Sequence, residues 1–67
     1  MTVARVTEIT ATSKKSFDDA IQQGLQRATE TLKNVTAAWI ADQEVALENN
    51  RITEYRVRMK VTFVLEP

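Results

Sequence analysis

The chain contains no cysteine and no histidine. Without cysteine there is no disulfide and no thiolate metal site. Without histidine it lacks the commonest transition-metal ligand and the commonest general base, so no Ser-His-Asp arrangement can form. Positive charge is not in excess either: nine Lys and Arg balance nine Asp and Glu, giving a formal net charge of zero. A nucleic-acid footprint needs basic charge concentrated on one face, and this composition argues against it. No apolar run approaches the length of a membrane span or a signal peptide, and the chain reads as cytosolic and soluble. Glycine and tryptophan each occur once, as Gly24 and Trp39. No glycine-rich phosphate loop is possible, and no nucleophile–base pair is present, so nothing reads as an enzyme.

What remains is 67 residues, enough for one domain (1–67) with one thin core. A core of this size barely offsets the entropy of ordering the chain, and with crosslinks and histidine or thiolate metal sites excluded, self-association is the available remedy.

The clearest pattern is a long hairpin from Ala38 to Leu65. In its second strand Tyr55, Val57, Met59, Val61, Phe63 and Leu65 alternate with Glu54, Arg56, Arg58, Lys60 and Thr62. Strict alternation predicts a half-buried strand. The first strand, about Ala37 to Glu48, by the same period of two places Trp39, Ala41, Gln43, Val45 and Leu47 on one side. Ile40, Asp42, Glu44, Ala46 and Glu48 then take the other. Asn49, Asn50 and Arg51 join them, since asparagine tolerates the left-handed backbone of a tight turn.

Ahead of the hairpin, Val3 to Thr10 reads as a β-branched strand, with Val3 and Ile9 on one face and Val6 on the other. Ala11 to Lys15 reads as a connection. Ser13 or Ser16 can cap the helix that follows, and Ser16 with Asp19 forms a carboxylate variant of the capping box. From Phe17 to about Lys33, Phe17, Ala20, Ile21, Gly24, Leu25, Ala28 and Leu32 recur in steps of three and four, as on one helix face. Gly24 on that stripe costs about 1 kcal/mol relative to alanine and points to close approach of a neighbouring backbone. Asn34 is a C-terminal stop. The predicted fold is α+β, a βαββ unit whose last strand is central and antiparallel to both others, so that the sheet curls around the helix.

Two kinds of residue suggest binding. Trp39 offers a large flat face, suited either to stacking on a heterocycle or to filling a core or interface. Arg56 and Arg58 share a face, where they can meet a carbonyl-rich ring or phosphate, or pair with Glu54, Glu44 or Asp42. Asp42 and Glu44 can pair with Arg58 or Lys60 across the hairpin, a reading preferred over a calcium site because oxygen cages draw mostly on loops.

The segments Val6-Thr-Glu-Ile-Thr-Ala-Thr-Ser13, Phe17-Asp-Asp-Ala-Ile21, the isolated Trp39, and Glu54-Tyr-Arg-Val-Arg-Met-Lys-Val-Thr-Phe63 together resemble the dodecins. The resemblance spans nearly the whole chain in order. It implies a βαββ subunit, a hollow twelve-subunit shell, and flavins bound in pairs between tryptophans of symmetry-related subunits. On that resemblance Trp39, Arg56, Arg58 and Val45 are the candidate flavin-binding residues, for FMN or riboflavin. The implied role is storage or sequestration of a photoreactive flavin. The chain departs from the flavin-binding pattern in three places. Trp39-Ile-Ala-Asp42 replaces Trp-Phe-Glu-Val, Arg56 replaces a glutamine that hydrogen-bonds the ring, and Ala46-Leu47 replaces Arg-Gly. The stacking element is kept while the edge and phosphate contacts change. Some relatives lack the tryptophan and bind calcium, and Tyr55-Arg56-Val57 leans toward them. A flavin-free shell holding an ion through Asp42, Glu44 or Glu48 is therefore the alternative.

Overall fold

The computed structural model describes residues 2–66. Its elements are β1 (Ala4–Ser13), α1 (Phe17–Thr31), β2 (Val35–Glu48) and β3 (Arg51–Val64). The sheet order is β1-β3-β2, with both pairings antiparallel, so the most regular strand lies at the centre as expected.

β1 runs three residues further than the sequence suggested. Ala11 to Ser13 had read as a connection, yet they pair with Val57, Arg56 and Tyr55. Ladder hydrogen bonds to a long β3 extend a segment of small and hydroxyl residues whose own strand preference is modest.

The helix starts where the cap dictates. Ser16 is extended, and its hydroxyl accepts from the Asp19 amide at 3.0 Å. The return half of the capping box is not formed. The Asp19 carboxylate instead accepts from the Ser13 hydroxyl at 2.5 Å and the Gln23 amide at 2.7 Å. Ser13, nearly buried, also accepts from the Lys15 amide, so it ties the end of β1 to the first turn of α1. The helix ends at Thr31 rather than near Lys33, and the Leu32 amide closes it on the Ala28 carbonyl. Asn34, at φ 63°, is the left-handed residue that turns the chain into β2. Its carbonyl accepts from the Val64 amide at 3.0 Å.

One face of the sheet carries the core. Val57 and Met59 pack with Ala20 of α1, with Ile9, Ala11, Phe17, Ile21 and Leu25 around them, and Val61 and Ala28 are buried as well. Met59, with 0% exposure, is the largest of these. Gly24 marks a close approach, as its position suggested, but to side chains rather than to a neighbouring backbone. A Cβ there would lie 2.5 Å from Met59 Cε and 2.9 Å from Ala11 Cβ, so only glycine lets α1 settle this close to β1 and β3. Phe17 meets Tyr55 edge to face at 5.1 Å, closing one end of the core.

At 1.5 Å per residue α1 is roughly 22 Å long, while strands of 14 residues extend roughly 46 Å. The molecule measures 52 × 19 × 13 Å, and α1 covers β1 and β3 but little of β2. Ile40 and Val45 on β2, and Leu47 and Ile52 near the hairpin tip, are consequently exposed.

Candidate functional site

β2 does not follow the simple alternation that the sequence suggests. Its pairing with β3 shifts at three points, and the shift between Ile40 and Asp42 leaves Ala41 as an extra, bulged residue. The bulge moves everything beyond it to the other face of the count. Trp39 pairs with Lys60, Asp42 with Arg58 and Glu44 with Arg56, so all three β2 residues look away from the helix. The expectation that Trp39 and Val45 share a face, opposite Asp42 and Glu44, is corrected here. Val45 pairs with Tyr55 and lies on the helix-side face with Gln43 and Ile40. The cause is the single unpaired residue, which inverts side-chain direction without changing composition. A second shift leaves Thr53 extra in β3, where its hydroxyl bonds the Ala46 carbonyl at 3.3 Å. Being in opposite strands, the two bulges offset, and the Trp39–Lys60 register is again the one set by the turn.

The outer face thus carries three rungs across β1, β3 and β2. They are Thr12–Arg56–Glu44, Thr10–Arg58–Asp42 and Glu8–Lys60–Trp39. Arg58 Nη2 donates to Asp42 Oδ2. Arg56 Nη1 reaches Glu44 Oε1 at 3.4 Å, and its Nε lies 3.5 Å from Glu54 Oε2. The hydrogen bond to Asp42, then the charges of Asp42 and Glu8, raise the Arg58 pKa above its already high value. The ladder frames an open depression of about 660 Å³ whose walls include Thr10, Thr12, Asp42, Glu44, Arg56 and Arg58.

Trp39 stands at the end of this ladder with 49% of its surface exposed. Lys60 Nζ lies 5.5 Å from the ring centroid, a cation–π contact. A half-open indole on a sheet face, with Lys60 over one side of its ring and Arg58 one rung away, can stack a flat heterocycle on its free side and hydrogen-bond its edge. The residues therefore fit an isoalloxazine. Of the four candidates, Trp39, Arg56 and Arg58 come together and Val45 does not. The sequence reading gave Lys60 to a carboxylate, whereas it covers the indole. It also passed over Glu8, Thr10 and Thr12, because finding them requires the β1–β3 register. Asp42 and Glu44 are engaged by arginines, and among the described residues no three acidic, histidine or cysteine side chains are grouped to hold a metal ion.

A sequence model of the Dodecin family matches residues 3–66. The chain belongs to the dodecin family. Among solved structures, the dodecin from Streptomyces davaonensis is 35% identical, with a TM-score of 0.92 over 98% of this chain and 97% of that one. A variant of the Thermus thermophilus dodecin is 28% identical, with a TM-score of 0.93, each chain being covered in full. The calcium dodecin of Mycobacterium tuberculosis is 28% identical over 67 residues, all of this chain and 94% of that protein. The solved structure of that calcium dodecin, described as calcium chelating with a novel calcium-binding site, gives a TM-score of 0.83 at 29% identity. It covers 97% of this chain and 93% of that one. The βαββ architecture, with three antiparallel strands around one helix, is that of the dodecins.

Proposed function

We propose that this dodecin-family chain is a flavin-binding storage or sequestration protein rather than an enzyme. It acts as a single domain in the cytoplasm and works as a homo-oligomeric shell of twelve subunits. The observation that carries the reading is the half-exposed Trp39, which lies on the same face as Arg56 and Arg58. Trp39 stacks on the isoalloxazine of riboflavin or FMN, and a symmetry-related Trp39 completes the sandwich. Arg58 and Arg56 hydrogen-bond the ring edge or side chain. When bound, the flavin supplies its own redox and photochemistry. The protein's part is to hold it against an electron-rich indole, which quenches the excited state. Titration with riboflavin and with FMN, followed by flavin emission, tests this. Strong quenching at protein excess that disappears in Trp39→Ala is the expected result. Undiminished emission in the parent, or equal quenching by the variant, overturns it.

A second reading rests on the calcium-chelating relative. In it the chain forms a shell without flavin and takes calcium through Asp42 and Glu44. Both carboxylates would first have to leave Arg58 and Arg56, which weighs against it. Protein purified without visible absorbance, together with a rise in Tm on adding calcium, would favour this second reading.

A further inference from the structure

Every cation of the three rungs already has a partner. Arg58 is held by Asp42, Arg56 is shared by Glu44 and Glu54, and Lys60 lies over the Trp39 ring. The three rungs and the adjoining Glu54 also set four carboxylates, Glu8, Asp42, Glu44 and Glu54, against three cations. A ring stacked on Trp39 carries its dianionic phosphate on a flexible tether that can reach this ladder, whose charges act over roughly 8 Å at physiological ionic strength. To gain an arginine it must share it with the carboxylate already held there and face that carboxylate's charge. A neutral polyol chain meets no such conflict, since it can hydrogen-bond Thr10 and Thr12 while the ion pairs stay intact.

We infer that the site selects the uncharged, dephosphorylated flavin over its phosphate ester, with Asp42 and Glu44 as the residues that set the preference. The inference rests on the flavin reading of Trp39 and goes beyond it. Asp42 and Glu44 do not touch the ring. They act by occupying Arg58 and Arg56 and by presenting negative charge where a phosphate would come.

Riboflavin and FMN are titrated in parallel into the assembled parent, Asp42→Asn, Glu44→Gln and the double variant, each at low and high salt. In the parent, riboflavin binds more tightly by about five- to tenfold, and added salt narrows the gap by screening the repulsion of FMN. Each single substitution raises FMN affinity by about three- to fivefold, the range of an exposed charge pair, and leaves riboflavin within about twofold. In the double variant Arg58 is freed and Arg56 keeps only Glu54, so the two attract the phosphate and FMN binding weakens as salt is added. Thr10→Lys, which keeps both carboxylates and adds a cation beside Arg58, also brings FMN up. It keeps the test decisive if an asparagine or glutamine variant fails to assemble. An FMN affinity equal to or above that of riboflavin in the parent overturns the inference while the flavin reading stands. Substitutions that move both flavins equally overturn it too. If neither flavin is quenched, the flavin reading falls and the preference with it.

Discussion

Gly24 shows how one residue sets the spacing of the whole unit. Its neighbours across the packing gap differ in kind: Met59 Cε is the end of a flexible side chain, whereas Ala11 Cβ is fixed to a strand. Gly24→Ala gains about 1 kcal/mol of helix propensity. It loses about 1–3 kcal/mol to overpacking, because Ala11 has no room to give. We expect a net loss, seen as a lower Tm at fixed protein concentration, and partial recovery when Ala11→Gly is added. A Tm above the parent would show that the gap closes freely. Met59 tests the opposite error. It is fully buried at the centre of the core, and Met59→Ala should cost about 2–5 kcal/mol by leaving a cavity, read as a fall in denaturant midpoint. Both effects follow from contacts that a helical stripe and an alternating strand place together, so Gly24 was legible as a packing residue before the fold was known. Its partners Ala11 and Met59 were not, because the stripe says that something comes close without saying what.

At the scale of elements, the hairpin turn and the Ala41 bulge divide control of β2. Asn49 at φ 52° and Asn50 at φ 63° form a two-residue turn between Glu48 and Arg51, both left-handed as a type I′ turn requires. Glycine is preferred at the second position. Asn50→Gly should therefore raise stability by up to about 1 kcal/mol, while Asn50→Val should lower it by a similar amount or more. Thermal unfolding of the two variants at one concentration checks the signs. The helix cap gives a parallel case, since Ser16→Ala removes the acceptor for the Asp19 amide and should cost about 1 kcal/mol. Turn and cap were legible because asparagine and serine carry local backbone chemistry in their own side chains. The bulge carries no such mark. Ala41 is small and bland, and nothing in Trp39-Ile-Ala-Asp42 signals that one residue steps out of the ladder. Removing it is the sharpest test of the site: deleting Ala41 should turn either Trp39 or Asp42 toward the helix side, abolishing flavin quenching in the first case and releasing Arg58 from Asp42 in the second. Unchanged flavin binding in a folded deletion variant would show that the outer-face alignment is dispensable.

At the scale of the molecule, a helix roughly 22 Å long cannot cover a hairpin about twice its length. Leu47 at 65% exposure and Ile52 at 51% lie near the tip, and Ile40 and Val45 border the uncovered part of β2. So much apolar surface on a small chain calls for burial against other copies. For the proposed shell, sedimentation should find a compact particle of about twelve subunits, and unfolding should depend on protein concentration, as coupling of assembly to folding requires. A folded, heat-stable species at the 7.6 kDa subunit mass would refute this, and the shared-tryptophan sandwich with it. What the sequence determined by itself is whatever depends on local pattern. The helix face, the central strand, the turn, the cap and the absence of thiol and imidazole chemistry all follow from residue type and spacing within a few positions. What only the tertiary structure decided is which residues stand together across strands. Register depends on bulges that carry no local signal, and one unpaired alanine was enough to bring Trp39 onto the face of Asp42 and Glu44 and leave Val45 on the other.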